Sequence, residues 1–140
     1  MAETKPTAAK APFDLSTLDL APGADAGATM QLIHPVTGDE TGITFDVMGS
    51  DAPLFRSNLR RLYDLLARKP DDPDLDPDHL KVLAEARLAG CALKGWTGMV
   101  WKGAELKYSF DNAVMVMTAL PWVVQQVTFF RDRRSNFFKA

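Results

Sequence analysis

Apolar and polar positions alternate with period two on either side of a polar turn: Met30 and Leu32 precede "PVTGDETG", and Ile43, Phe45 and Val47 follow it. Two such runs around glycine-bearing turn residues predict a β-hairpin starting near residue 28. The period then lengthens. Leu54, Phe55, Leu59, Leu62, Leu65 and Leu66 recur at helical intervals behind Ser50 and Asp51, two candidate caps, and before Pro70, which predicts a first helix over about 51–68. Leu80, Leu83, Ala84, Leu88 and Cys91 share one face of a second, over about 77–93, with Pro77 at its start. Short extended runs "MVW" and "ELKY" then flank "KG". Ser109 and Asp111 can cap a third helix, and Pro121 suits the first turn of a fourth.

Before the hairpin, residues 1–27 hold Ala, Pro, Thr, Asp and Gly with few larger apolar groups, the composition of a flexible arm. Residues 28–140 are then expected to form a single domain. Its fold class is α+β, mainly helical, with an N-terminal β-hairpin, about four helices and a short hairpin or turn around 96–108. The most apolar segment, Ala113 to Phe130, is broken by Thr118, Pro121, Gln125, Gln126 and Thr128, so two buried helices meeting at Pro121 are expected rather than a membrane span.

Charge and cysteine usage narrow the setting. Lys plus Arg number 16 and Asp plus Glu 18, a net charge of -2 that gives no field to attract nucleic acid or anionic lipid. Cys91 is the single cysteine and lies in an apolar helical pattern, which suits a buried thiol in a reducing compartment. "MAETKPTAAKAPF" has no continuous apolar run of the secretory kind, so a cytoplasm is the expected location.

Candidate chemistry is sparse. Asp74, Asp76, Asp78 and Glu85 approximate a calcium-loop spacing, but His79 stands where that loop needs glycine, and Pro77 starts a helix that turns Glu85 away. His34 and His79 lie far apart without Cys or His neighbours, so no metal site and no histidine-based catalysis is expected. No nucleophile elbow, zinc-protease, Walker or dinucleotide signature occurs, so neither enzyme activity nor a cofactor is expected.

In "GWTGMVWKGAELKYS", Trp96 and Trp101 could form a stacking platform beside Lys94, Lys102 and Lys107, or plug a corner between helices with large buried area. The second reading is favoured, making Trp96, Gly98, Trp101, Gly103, Tyr108 and Ser109 a structural corner. The C-terminal "FFRDRRSNFFKA" combines phenylalanines with arginines, a composition suited to binding protein, though cations at a helix end need no partner.

Taken together, "GWTGMVWKGAELKYSFDNAVMVM", "LPWVVQQV", the terminal "NFF" and, upstream, "HPVTGDETGITFDVMGSDAPLFR" resemble the tail assembly chaperones of tailed bacteriophages over residues 28–138. The Ala/Pro arm and the Asp-rich linker depart from that pattern. The resemblance implies a non-enzymatic protein that binds the tape measure protein, helps recruit tail-tube subunits and leaves before the virion is complete. Self-association is compatible with this role, and in some members a ribosomal frameshift adds a second domain. The face expected to meet the partner, which the family pattern does not assign, comprises Trp122, Phe129, Arg133, Phe137 and Phe138. A small virion component, such as a tail-completion or neck subunit, and a regulatory binding module are the alternatives.

Overall fold

The computed structural model describes residues 11–138; the first ten residues of the expected arm and the last two of the expected domain lie outside them. The predicted hairpin is β1 (Ala28–Ile33) and β2 (Glu40–Val47), antiparallel, with Met30 opposite Phe45 and Ala28 opposite Val47. At its turn His34 Nδ1 accepts hydrogen bonds from the Val36 and Thr37 backbone N–H groups at 3.1 and 3.2 Å. Met30, Leu32, Phe45 and Val47 point inward, whereas Thr29 and Asp46 face solvent, as period-two patterning requires.

A third strand, β3 (Leu93–Thr97), joins β2 in the order β1-β2-β3, where helix two was expected to continue to 93. A register irregularity between Asp46 and Val47 places Leu93 opposite Val47 and Trp96 opposite Phe45. This bulge puts inward residues three apart, which breaks the strand period and imitates a helical one.

The helical part is the expected one with an addition. α2 (Pro53–Arg68) buries Phe55 and Leu62, with Leu59 and Leu66 half-buried, while Leu54 and Leu65 of the expected stripe are exposed. Its N-terminus is not capped by Ser50 or Asp51. Asp25 accepts from the Leu54 N–H at 3.0 Å instead. Asp25 belongs to α1 (Ala21–Ala26), a helix inside the stretch expected to be an arm, whose Ala24 is buried. The exposed part of the expected arm therefore stops short of residue 27. Lys94 reinforces the docking by donating to the Asp25 and Ala26 carbonyls at 3.0 and 3.2 Å.

α3 (Pro77–Gly90) starts with Asp76 accepting from the His79 N–H at 3.2 Å. Its buried face is Ala86, Ala89 and Gly90, not the expected stripe through Ala84 and Leu88. The reason is α4 (Phe110–Ala119), which comes so close that a Cβ on Gly90 would lie 3.1 Å from the Phe110 ring. Small residues allow that approach, so Leu88 is displaced outward and remains 37% exposed.

α4 and α5 (Pro121–Asp132) are bent by 116° at Leu120, and among the described residues no single helix is long and apolar enough to cross a membrane. Val116 and Met117 of α4 meet Val123 and Val127 of α5 beneath Phe45 and Val47 in one core. Burying each such side chain contributes about 1.5–3 kcal/mol. Gln126 ties α5 to the sheet by accepting from Ile33 N at 3.0 Å and donating to Ile33 O at 2.8 Å, which protects the β1 edge.

Candidate partner-binding groove

Between β3 and α4 lies a small hairpin, β4 (Val100–Trp101) and β5 (Ala104–Glu105). Lys102 and Gly103 both have positive φ, the backbone that a two-residue turn between twisted strands requires. Trp96 donates its indole N–H to the Leu106 carbonyl at 2.9 Å and meets Tyr108 edge-on at 5.1 Å. Tyr108 in turn donates to the Leu93 carbonyl at 3.2 Å, and burial pushes its phenol pKa up. Gly98, at φ 76°, passes 2.8 Å from the Gly42 carbonyl measured from where a Cβ would stand. Ser109 caps α4 by accepting from Asn112 N at 3.0 Å. Trp101 is half-buried, in a pocket of about 320 Å³ that it shares with Trp122, His34 and Pro35.

The five residues expected to form one contact face do not lie together. Trp122, at the start of α5, belongs to the pocket with Trp101 and packs partly against the core. Phe129 is 66% exposed, with the Arg133 guanidinium 5.7 Å above its ring. Phe137 is only 6% exposed and corrects the expectation that it meets a partner. The chain leaves helical geometry at Arg133, and a 3-10 turn at Arg134–Asn136 folds it back. Phe137 thereby packs edge-on against Phe130 at 5.6 Å and touches Gly49 and Gly23, pinning α1. Phe138 is half-buried behind it. Arg134 is engaged as well, donating to both Asp51 oxygens at 2.8 and 3.1 Å and holding that carboxyl below its usual pKa.

Phe129 stands instead at the rim of an open concavity, a groove of about 670 Å³ between α3 and α5. Val82, Glu85 and Leu88 form the α3 wall; Pro121, Val124, Gln125, Thr128 and Phe129 form the α5 wall; Arg131 to Arg133 close one end. The groove exists because α3 turns its small residues to α4 and leaves Val82 and Leu88 outside. Arg131 is a residue that the sequence pattern did not single out. It is buried, its Nε donates to Asp132 at 3.0 Å, and its guanidinium carbon lies 5.2 Å from the Phe55 ring centre. The signal was present: Arg131 follows Val127 by four, so it continues the buried stripe of α5 with a charge. Burial pushes Asp132 up, but hydrogen bonds from Arg131 and Ser50 leave its pKa lowered.

A family model described as YdaY prophage protein matches residues 50–139. The chain belongs to that family. It is thus a phage-derived protein, and the family segment runs from just before α2 to the C-terminal turn, enclosing both walls of the groove. The hairpin and α1 precede that segment. No curated protein matches the chain, and no solved structure does.

Proposed function

We propose that this YdaY-family protein is a tail assembly chaperone that binds the tape measure protein and helps recruit tail-tube subunits in the cytoplasm of the bacterial host. The observation that carries the reading is the open, mainly apolar groove between α3 and α5, with Phe129 exposed at its rim. A long amphipathic helix tends to self-associate through its apolar stripe, and a groove between two helices can cover part of that stripe. Several copies, each binding weakly, then keep one long partner soluble until tube subunits replace them. The prophage family and the resemblance of the segment around Trp96 and Tyr108 to phage tail chaperones support the same reading.

The role is non-enzymatic. Burial pushes the Cys91 thiol up to about 11, which makes it a poor nucleophile, and His34 Nδ1 is occupied by two backbone donors. Co-expression with the long helix-rich protein encoded by the same prophage tests the function. The expected result is that the partner becomes soluble and co-purifies, while mass spectrometry of purified particles finds the chain depleted. Stoichiometric presence in particles marks a virion structural component instead.

A further inference from the structure

We propose that the solvent face of α2 meets the aspartate-rich linker of a second copy of this chain, so that two copies pair about a two-fold axis. The inference does not depend on the α3–α5 groove, which α2 does not line. The chain's net charge of -2 conceals a segregation. α2 sets Arg56, Arg60, Arg61 and Arg68 against Asp64, a net of +3, so the rest of the chain carries -5. All four arginines are exposed, and none joins the ion pairs among the described residues, which are Arg87 with Asp71, Arg131 with Asp132 and Arg134 with Asp51. Helix formation does not call for these charges. α2 has no acidic residue in its first turn, Arg56 stands near the positive end of the helix dipole, and Arg56 and Arg60 repel one another at four apart. Leu54 and Leu65, 47% and 55% exposed, share one stripe of this face with Arg61 and Arg68.

The complementary surface comes next along the chain. Asp72, Asp74, Asp76 and Asp78 are exposed and pair with no cation among the described residues, whereas Asp71 is held by Arg87. Asp72 and Asp76 accept from the backbone N–H groups of Asp74 and His79, which leaves Asp74 and Asp78 without a donor among the described residues. Arg68 and Lys69 stand just before this run and form no ion pair with it among the described residues. Neighbouring patches of opposite sign are self-complementary: a two-fold rotation lays each patch on its counterpart and makes both contacts at once. Guanidinium and carboxylate then meet in paired hydrogen bonds, and Leu54 and Leu65 add apolar contact that salt does not screen. Duplex DNA or an anionic bilayer would satisfy α2 but be repelled by the aspartates a few residues away, which favours a second copy. A pair of copies also presents two α3–α5 grooves to one long partner.

Sedimentation velocity of the full chain tests this. One variant reverses α2 with Arg61→Glu and Arg68→Glu; another reverses the linker with Asp74→Lys and Asp78→Lys. Wild type is expected to dimerise below about 100 μM and to lose about tenfold or more in affinity between low and high salt. Each variant alone is expected to be monomeric, because like charges then face one another in both contacts. An equal mixture of the two is expected to dimerise, since reversed α2 meets the reversed linker while native linker meets native α2. Recovery in the mixture separates lost pairing from lost folding. The inference is overturned by a monomeric wild type at that concentration or by dimers that persist in both variants. A mixture that stays monomeric although both variants keep the wild-type circular-dichroism spectrum overturns it too. A monomeric wild type that binds duplex DNA or phosphatidylglycerol vesicles assigns the arginines to phosphate instead. Each of these outcomes leaves the chaperone reading standing.

Discussion

Phe129 and Phe137 have the same side chain in the same short C-terminal stretch and opposite roles. Phe137 fills space between Phe130, Gly49 and α1, so Phe137→Ala is expected to cost about 3 kcal/mol of stability, read from urea unfolding. Phe129→Ala removes an exposed ring and is expected to change stability by less than about 0.5 kcal/mol while weakening partner binding. Sequence alone could not separate them, because the reversal at Arg133 is set in part by a contact far away in the chain, Arg134 with Asp51, which joins the local bond from Asn136 Nδ2 to the Phe130 carbonyl at 2.9 Å. Gly98 was legible, and for a local reason. A residue with positive φ pressed against the Gly42 carbonyl admits little but glycine, and Gly98→Ala is expected to lower stability by about 1–2 kcal/mol in the same measurement.

At the scale of elements, strong local periodicity made α2, α5 and the β1–β2 hairpin readable. β3 and α1 were hidden for different reasons. In β3 the bulge opposite Asp46 and Val47 destroyed the alternation, and α1 is a six-residue helix that depends on Phe137 and Asp25 contacts rather than on its own pattern. The buried face of α3 departs from its leucine pattern because close approach to α4 demands small residues. Ala86→Leu is accordingly expected to cost about 1–3 kcal/mol by forcing those helices apart. The linker before α3 is held by Arg87, which donates to both Asp71 oxygens at 2.8 and 2.7 Å and holds the Asp71 carboxyl below its usual pKa. A lowered folded-state pKa means that this contribution is complete above the unfolded value of about 3.9 and is lost as pH falls through the folded one. Asp71→Asn is therefore expected to cost about 1 kcal/mol near neutral pH, with the difference from wild type closing in strong acid, as thermal melts across pH will read.

For the whole molecule, the groove was not visible in the sequence because its walls come from helices separated by β3, the β4–β5 hairpin and α4. Phe129 and Arg133 were the members of the expected face that do reach it. The sheet and α4 hold α3 and α5 in place, and the prophage family spans both walls. Partner capture by this surface is the central claim, and site-specific photo-crosslinking tests it most directly. A benzoyl-phenylalanine replaces Phe129 in one variant and Tyr63, an exposed aromatic on α2 outside the groove, in another, each co-expressed with the tape measure protein of the same prophage. A covalent adduct from position 129 and little or none from position 63 is the predicted result. Adducts from position 63 without any from position 129 would contradict the account.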